Sequence, residues 1–301
     1  MIAAIHKCEN NSGPYCAAPV NIHRIDWMWA NKAVFDANGI SVPTTWDELN
    51  AAAEKLQAAG IIPFAHGGQA WQDATVFEAV AMGIGGNNYY KNCYVDLKES
   101  CLRSETTVKV FDQMRKLQGF TDEGSPGRDW NVATGMVIEG KAGFQIMGDW
   151  AKGEFTAAGK VPGVDYYCAA TPSNNGYLYN VDSFIFYKSS DPDKQAGQKL
   201  LAKLMMGKNF QKVFNLYKGS IPARLDVSMD EFDKCAKTSN ADIKTAGASG
   251  GLVPSFAHGM AQGNTMKAAL QDIITEHFNS DMSSVDAVSY THLRAHETDR
   301  Y

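Results

Sequence analysis

The sequence predicts an α/β protein in two domains, because helical and strand-like patterns alternate along its whole length. Its 301 residues are 45% hydrophobic, so the chain is long enough to bury a sizeable core and to divide into two domains. No internal repeat and no proline-rich or serine-rich linker interrupts the alternation. We therefore expect the chain to pass between the domains through short, tight connections.

The first half of the chain contains the clearest helix signal. In PTTWDELNAAAEKLQAAG, residues 43–60, Thr45 and Glu48 have the spacing of a capping box ahead of an apolar stripe with helical period. The run IIPFAHGG, residues 61–68, then predicts a short buried strand that closes in a loop. The segment DATVFEAVAMGIGG, residues 73–86, predicts a second helix that ends at its glycines.

Further elements follow the same alternation. Ser104 begins a predicted helix that stops at Gly119, and Ser190 or Asp191 caps another helix whose first turn contains Pro192. The remaining helices are expected over residues 131–139, 209–219 and 264–278, with strands over residues 142–147 and 180–190 and a loop over residues 249–263.

Charge and missing motifs exclude several classes of protein. The formal net charge of −5 comes without a Lys/Arg cluster that would neutralise phosphates, which argues against a nucleic-acid partner. No window of about 18 to 20 apolar residues is present, so we expect no membrane insertion. The motifs GxSxG, HExxH, GxxxxGKS/T and GxGxxG are missing, and the glycine-rich GIGGNNYY, residues 83–90, ends a predicted helix instead of opening one. We expect neither a cofactor nor a metal ion.

The cysteines favour an oxidising compartment. The chain has six of them, at Cys8, Cys16, Cys93, Cys101, Cys168 and Cys235. No CxxC pair occurs, which argues against a zinc ribbon or a thioredoxin-like motif. The segments CENNSGPYC, residues 8–16, and CYVDLKESC, residues 93–101, are each compatible with a local disulfide loop. Buried free thiols in a cytosolic protein are the alternative.

The C-terminal segment, residues 288–301, does not fit the rest of the chain. Its VSYTHLRAHET resembles the in-frame translation of a transposase sequencing adapter, so we interpret the segment as a non-native tail. The natural chain is then expected to be cut at this end, and to be open to truncation at the other. The alternative is a metal-binding helix face, because His292 and His296 have i, i+4 spacing.

Aromatic and polar residues with the chemistry of a carbohydrate pocket occur in the predicted loops. Tryptophan offers an apolar face to the C–H face of a sugar ring, and polar side chains supply directed hydrogen bonds to hydroxyls. The candidates are Gln69, Trp71, Trp130, Trp150, Asn180, Asp182, Lys218 and His258. Taken singly, each has a structural alternative, such as a core tryptophan or a helix-capping lysine. A glycosidase acid/base pair among Asp129, Glu139 and Asp149 is a second alternative.

Six ordered blocks between residues 17 and 284 carry a resemblance to a known family. They are APVNIHRIDWMW, TWDELNAAAEKLQAAGIIPFAHGGQAWQD, GRDWNVATGMVIEGKAGFQIMGDWAKGEF, NVDSFIFYK, FNLYKGSIPAR and SGGLVPSFAHGM. These blocks resemble the periplasmic glucose/mannose-binding proteins of bacterial ABC sugar importers, within extracellular solute-binding protein family 1. The resemblance implies a type II periplasmic-binding-protein fold, in which two α/β lobes close about a hinge. Family members are longer at the N-terminus, so we expect Met1 to be an internal or spurious start and the N-lobe to be incomplete.

The resemblance also implies roles for individual residues. Trp130 and Trp150 would be stacking platforms of the C-lobe, and Asp182 with Asn180 would accept hydrogen bonds from sugar hydroxyls at the hinge. Lys218 and His258 would supply further hydrogen bonds. Gln69, Trp71 and His23 lie in matching blocks and are additional candidates. Cys168 and Cys235 match cysteines that are expected to pair with each other, whereas Cys8 and Cys16 have no such support.

These implications together predict a periplasmic, non-catalytic, monomeric protein that captures a glucose-type hexose and delivers it to an ABC transporter permease. A secreted glycosidase-like enzyme and a ligand-binding subunit for chemotaxis or sensing are the alternatives. With part of one lobe missing, we expect the 301-residue chain to expose apolar surface and to aggregate. The expected division is residues 1–24 as an N-lobe remnant with the first hinge crossing, 25–175 as the C-lobe, 176–230 as an N-lobe segment, 231–287 as C-lobe helices and 288–301 as the tail.

Overall fold

The protein is an α/β structure, as predicted. A computed structural model describes residues 16–172 and 176–297, the residues 292–297 by their backbone alone. The strands are β1 Ala17–Pro19, β2 His23–Arg24, β3 Trp27–Asn31, β4 Ile62–Phe64, β5 Ala142–Ile146, β6 Tyr166–Ala170, β7 Tyr177–Asn180, β8 Ser183–Ile185 and β9 Leu252–Pro254.

Helices connect and cover these strands. They are α1 Lys32–Ala37, α2 Trp46–Ala58, α3 Ala70–Tyr90, α4 Glu99–Leu102, α5 Glu105–Gln118, α6 Trp130–Ile138, α7 Lys152–Ala157, α8 Pro192–Met205, α9 Lys208–Lys218, α10 Lys234–Ser249, α11 Asn264–Asn279 and α12 Ser284–Glu297. A π-helical turn, Lys91–Val95, follows α3, and a 3₁₀ turn, Asp149–Ala151, precedes α7. Within the described ranges, no helix combines the length and apolar character that crossing a membrane requires.

The strands form three small sheets. The largest has the order β4-β5-β3-β6, in which β4 and β5 are parallel and β3 runs antiparallel to both of its neighbours. Its apolar side chains, including Phe64 and Phe144, pack with α2, α3, α5 and α11 in the main core. The fully buried Trp29 belongs to a second core cluster with Phe155 and Tyr166.

The second sheet, of order β2-β7-β9, determines where the functional residues meet. Strand β2 runs antiparallel to β7 and pairs His23 with Asn180, whereas β9 runs parallel to β7 and pairs Pro254 with Tyr179. His258 lies four residues beyond the end of β9. Three distant parts of the sequence therefore meet at the same end of the strands of this short sheet.

The elements with a strong local signal form where the sequence predicts them. Thr45 accepts a hydrogen bond from the Glu48 backbone N–H, and the Glu48 side chain accepts one from the Thr45 N–H, so the predicted capping box is confirmed. Ser104 caps α5 through the Thr107 backbone N–H. Asp191, and not Ser190, caps α8, with Pro192 as its first residue. These caps satisfy backbone donors that helix starts otherwise leave unpaired.

Two local predictions are wrong, and a third is incomplete. The first helical stretch of α3 ends at Gly86 as predicted, where φ is 78° and the backbone is non-helical, but helix resumes beyond it to Tyr90, whose ring is fully buried. The strand predicted over residues 180–190 is interrupted, because the backbone of Asp182 bonds to Asn21 Oδ1 at 2.8 Å and to Val20 N at 3.0 Å. The predicted loop over residues 249–263 contains β9, which pairing with β7 stabilises.

Two disulfides tie the described structure together. Cys168 and Cys235, paired by the resemblance, are bonded with an S–S distance of 2.01 Å, and this bond links β6 to α10. Cys93 and Cys101 close the local loop that their spacing allows. Cys8 lies outside the described residues.

Helix α12 extends into the segment interpreted as a tail. It buries Ala287, Val288 and Thr291 against the neighbouring helices. The non-native origin of residues 288–301 stays a prediction, as do the lobe boundaries. The side chains of His292 and His296 are outside the described ones.

A unit built from β1, β8, α8 and α9 exposes much apolar surface. Its small core contains Ala18, Val20 and Met205. The exposed large apolar side chains of β8, α8 and α9 are Phe184, Ile185, Leu200, Leu201, Leu204, Val213 and Tyr217. We call Leu200, Leu201 and Leu204 the α8 leucine face. Isolated exposed leucines are common, but three on one helix form an exposed apolar patch that favours association.

Candidate functional site

One cavity of about 470 Å³ brings together most of the residues that the sequence singles out. Its volume is within the range of small-ligand sites. Eight of the nine predicted sugar-site residues line it, and the ninth, Gln69, lies immediately behind. The lining residues are His23, Trp71, Trp130, Trp150, Gly153, Glu154, Asn180, Asp182, Tyr217, Lys218 and His258.

Three tryptophans form the aromatic part of the cavity wall. Trp71 lies in the first turn of α3, Trp130 is the first residue of α6, and Trp150 lies in the turn after β5. All three are partly exposed, whereas Trp27 and Trp29 are buried in the core. Their positions at helix starts present the indoles to the cavity while the helices anchor the backbone.

Trp150 is the centre of the aromatic cluster. Its ring centroid lies 5.2 Å from that of His23 and 5.1 Å from that of His258, both edge-on, and 6.3 Å from that of Trp71. The ring also folds back over Gly148, where an added Cβ would approach Trp150 Cζ3 to 2.2 Å. A residue larger than glycine at position 148 would therefore displace the indole.

His23 is buried between two carboxylates. Its Nδ1 bonds to Asp149 Oδ1, and its Nε2 lies 3.0 Å from Asp182 Oδ2. Burial alone lowers the pKa of His23, but the charges and hydrogen bonds of Asp149 and then Asp182 outweigh it and raise the pKa from 6.5 to about 9. The imidazole is thus a cation at neutral pH, with both N–H groups donated to protein acceptors.

Asp182 presents a partly exposed carboxylate that the protein holds from behind. Its Oδ2 accepts from Asn21 Nδ2 at 3.0 Å as well as from His23, and its Oδ1 accepts from Asn180 Nδ2 at 3.1 Å. Burial raises the pKa of Asp182. The bonds and charge of His23, the Asn21 amide and the charge of Lys218 outweigh this effect and hold the pKa well below its usual range.

His258 is held in one neutral tautomer. Thr75 Oγ1 donates to the Trp71 carbonyl oxygen at 2.8 Å, so it accepts from His258 Nε2–H at 3.0 Å, which leaves Nδ1 as the ring's acceptor. Burial and the nearby charge of His23 lower the pKa of His258 to about 3. The two histidines of the site therefore carry different charges at neutral pH.

Lys218 ends α9 and reaches the cavity through a tight turn. It is exposed and forms no ion pair with any described residue. The next residue, Gly219, has φ of 92°, and a Cβ there would lie 2.6 Å from the Asp149 carbonyl oxygen. Only glycine fits this turn without strain, because both the dihedral and the close approach exclude a side chain.

Gln69 connects two parts of the wall without lining the cavity. It accepts from Trp71 Nε1 at 2.8 Å and donates to Asp129 Oδ1 at 2.6 Å. Since Asp129 immediately precedes Trp130, the Gln69 side chain connects the indole of Trp71 to the start of the helix that carries Trp130.

The sequence reasoning missed three lining residues. Gly153 and Glu154 lie inside the quoted block GDWAKGEF, and Tyr217 precedes Lys218. Tyr217 is 81% exposed, although its spacing from Phe210 and Phe214 is that of a core-facing stripe. The one sequence signal for these residues is that they lie next to predicted site residues: Gly153 and Glu154 follow Trp150 closely, and Tyr217 precedes Lys218.

The alternative chemistries find little support in the geometry. Asp149 is 3% exposed, and its two oxygens are occupied by His23 and the Arg24 backbone N–H. Glu139 pairs at the surface with Lys141. Over the described residues, no three His, Cys, Asp or Glu side chains come close enough to hold a metal ion.

A cavity with tryptophans and charged groups on its wall, in an α/β framework of small sheets, defines a protein built to bind a small polar ligand. Residues 3–205 match the family described as bacterial extracellular solute-binding protein, and the chain belongs to that family. The family and its relatives place the chain among periplasmic solute-binding proteins. The predicted family and fold class are therefore confirmed.

The most informative similarities are to named periplasmic proteins and to one solved receptor. The chain is 47% identical over 287 residues to a probable sugar-binding periplasmic protein of Brucella suis, which covers 95% of this chain and 68% of the relative. It is 44% identical over 288 residues to a probable sugar-binding periplasmic protein of Rhizobium meliloti, covering 95% and 69%. The solved bacterial solute receptor AcbH, described as exclusive for β-D-galactopyranose, superposes with a TM-score of 0.82 at 18% identity, covering 99% of this chain and 75% of the receptor.

Proposed function

We propose that this protein captures a monosaccharide in the cavity and delivers it to the permease of an ABC transporter. The observation that carries the proposal is the joint placement of three partly exposed tryptophans with a hydrogen-bonded carboxylate, an exposed lysine and a neutral histidine. This is the combination that a hexose needs: flat apolar faces for its C–H groups and fixed acceptors and donors for its hydroxyls. The relatives named as sugar-binding periplasmic proteins support it.

The proposed roles follow from which atoms remain available. Trp130 and Trp150 stack on the sugar ring, and Asp182 accepts hydrogen bonds from hydroxyls on the lone pairs that the protein leaves free. Lys218 Nζ donates to a hydroxyl, and His258 Nδ1 accepts from one. Hydrogen bonds to neighbouring side chains orient Asp182 and His258 before the ligand arrives.

His23 has a different proposed role from the one implied by the resemblance. Both of its ring nitrogens are committed to Asp149 and Asp182, and the residue is 1% exposed. We propose that it orients and charges the Asp182 carboxylate instead of contacting the sugar through a nitrogen. Asn180 likewise acts through Asp182.

The preferred ligand of the proposal is a glucose-type hexose, namely glucose, mannose or galactose. Binding does not lead to turnover in this proposal, since both oxygens of Asp149 are bonded to His23 and to the Arg24 backbone N–H. A sensing role would use the same cavity, and the genomic neighbourhood distinguishes it from transport.

Isothermal titration of the 301-residue protein with glucose, mannose, galactose and xylose tests the proposal. We expect saturable one-to-one binding of a hexose. The affinity should fall at least tenfold in Trp150→Ala and be largely retained in Trp150→Phe, which preserves a flat apolar face. Equal affinity in Trp150→Ala and the wild type would refute the stacking assignment. Release of nitrophenol from an aryl glucoside would instead favour the enzyme.

A further inference from the structure

A fully buried acid, Glu78, lies behind the loop that presents His258. It is on α3, two turns after Trp71 and one turn after Thr75, so these three residues share one face of the helix. No Lys, Arg or His side chain of the described residues forms an ion pair with it. A buried carboxylate without a cation is costly unless several donors satisfy it.

The donors that satisfy Glu78 come mostly from the turn at residues 255–257. Ser255 Oγ donates to Glu78 Oε1 at 2.6 Å, while the backbone N–H groups of Phe256 and Ala257 approach Oε2 at 3.1 and 3.4 Å. Tyr90 OH donates to Oε2 at 2.9 Å. One side chain thus binds most of the loop backbone between β9 and the cavity.

The connection continues from this turn to the ligand site. Ser255 Oγ, oriented by its bond to Glu78, accepts from the His258 backbone N–H at 3.0 Å. The imidazole of the same residue donates to Thr75 on the helix face that carries Glu78. Helix α3 therefore fixes His258 at both its backbone and its ring.

We propose that Glu78 is a positioning residue of the ligand site, whose carboxylate holds the turn at residues 255–257 and thereby sets the position of His258. The inference rests on the proposed function, because it concerns the same cavity. A glutamine at position 78 offers one acceptor oxygen where these four hydrogen bonds use two, and His258 Nδ1 then loses its fixed place on the wall. Buried donors that lose their acceptor are costly, so we expect about a tenfold loss of sugar affinity.

The pH dependence of the loop gives a readout that a merely structural role would not move. Burial raises the pKa of Glu78 to about 7, although the bonds from Ser255, Tyr90 and the turn oppose it. Other titratable groups lie on the elements that surround Glu78. They are Tyr90 on α3, Tyr94 after it, Asp26 between β2 and β3, His258 on the loop and His277 on α11.

None of these neighbouring groups has a pKa near 7 that would mimic the titration of Glu78. The tyrosines have pKa values well above their usual range, and His258 and His277 are lowered to about 3 and about 4. Burial raises the pKa of Asp26, and the ion pair with Arg24 opposes this increase. A midpoint near 7 that disappears in Glu78→Gln therefore belongs to Glu78.

The experiment compares the wild type, Glu78→Gln and the exposed-site control Glu54→Gln by amide hydrogen exchange and by hexose titration from pH 5.5 to 8. We expect the Phe256 and His258 amides of Glu78→Gln to exchange at least tenfold faster, and its affinity to be weaker and flat with pH. In the wild type, protection and affinity fall as pH rises through about 7, because the raised pKa of Glu78 means that the closed turn keeps a proton that an opened turn with a solvated Glu78 releases. The control should match the wild type.

The outcomes separate this inference from the proposed function. If the wild type binds no hexose, the function fails, and the exchange of the two amides still decides whether Glu78 holds the loop. If the wild type binds hexose and Glu78→Gln matches it in affinity, exchange and pH profile, the inference is wrong. If Glu78→Gln does not fold, Ser255→Ala takes its place, because Ser255 Oγ joins Glu78 to the His258 backbone N–H, and wild-type exchange of the His258 amide in that variant overturns the inference.

Discussion

The His23 cation should make stability depend on pH in a predictable direction. Its pKa is about 9 in the folded protein against 6.5 for an unperturbed histidine. Below pH 6.5 both states are protonated and the stabilisation by Asp149 and Asp182 is fully present. Between pH 6.5 and 9 the unfolded state releases the proton that the folded state keeps, so the free energy of unfolding falls as pH rises.

The size of this effect follows from the difference between the two pKa values. At about 1.4 kcal/mol per pKa unit, the roughly 2.5-unit difference amounts to about 3–4 kcal/mol, lost progressively between pH 6.5 and 9. Because His23 is 1% exposed, solvent screening reduces this value little. The window from pH 7.5 to 9 isolates it best, since Glu78 titrates near 7.

Urea unfolding of the wild type and His23→Gln at half-unit pH steps measures the effect. We expect the wild-type free energy of unfolding to fall towards pH 9 and the variant to lose most of that slope, while being less stable at pH 7. The difference between the two proteins removes contributions from other groups. Parallel slopes, or a wild type that gains stability between pH 7.5 and 9, would show that His23 is not the buried cation.

Three further predictions concern the site and the surface. Gly219→Ala should lower stability by about 1–3 kcal/mol and weaken hexose binding, because it strains the left-handed turn after Lys218, whereas Gly197→Ala, with open space around it, should be neutral or stabilising by calorimetry. Asp182→Asn should weaken hexose affinity at least tenfold and lower the pKa of His23, read by NMR titration. Leu200→Lys with Leu204→Lys should reduce self-association in light scattering.

Each of these predictions has a contradicting result. Equal melting temperatures for the two glycine variants would remove the strain argument at position 219. An unchanged His23 titration in Asp182→Asn would show that Asp149 alone holds the charge. Unaltered scattering in the double leucine variant, compared with the exposed control Lys199→Glu, would place the association elsewhere.

Local patterns predict the fold well where a few neighbouring residues decide it. Thr45 with Glu48, and Asp191 with Pro192, set helix starts through bonds within four residues. The sheet β2-β7-β9 was not predictable in this way, because its strands are two to four residues long and exist only through pairing across the sequence. Local pattern also predicted the break of α3 at Gly86, but not the short helical stretch beyond it, which the burial of Tyr90 stabilises.

The site shows the same division between local and distant information. Residue types in loops pointed to the cavity wall, and eight of nine candidates line it. The arrangement of His23 was beyond the sequence, since its partners Asp149 and Asp182 lie 126 and 159 positions away. Tyr217 was missed because its helical spacing indicates a buried stripe, whereas the structure turns it outward.

The two histidines of the site have different charges at neutral pH, because their surroundings make His23 a cation and keep His258 neutral. The charge of His23 adds to the burial that keeps His258 neutral. The charge of His23, fixed by two carboxylates, is one of the causes that lower the pKa of His258 to about 3. A ring kept neutral by a neighbouring cation, with Nε2–H given to Thr75, can only offer Nδ1 as an acceptor. Neither histidine then changes charge between about pH 4 and 8, so hexose binding that depends on pH near 7 cannot come from the imidazoles. Glu78, whose pKa of about 7 lies in that range, is the group that we expect to cause it.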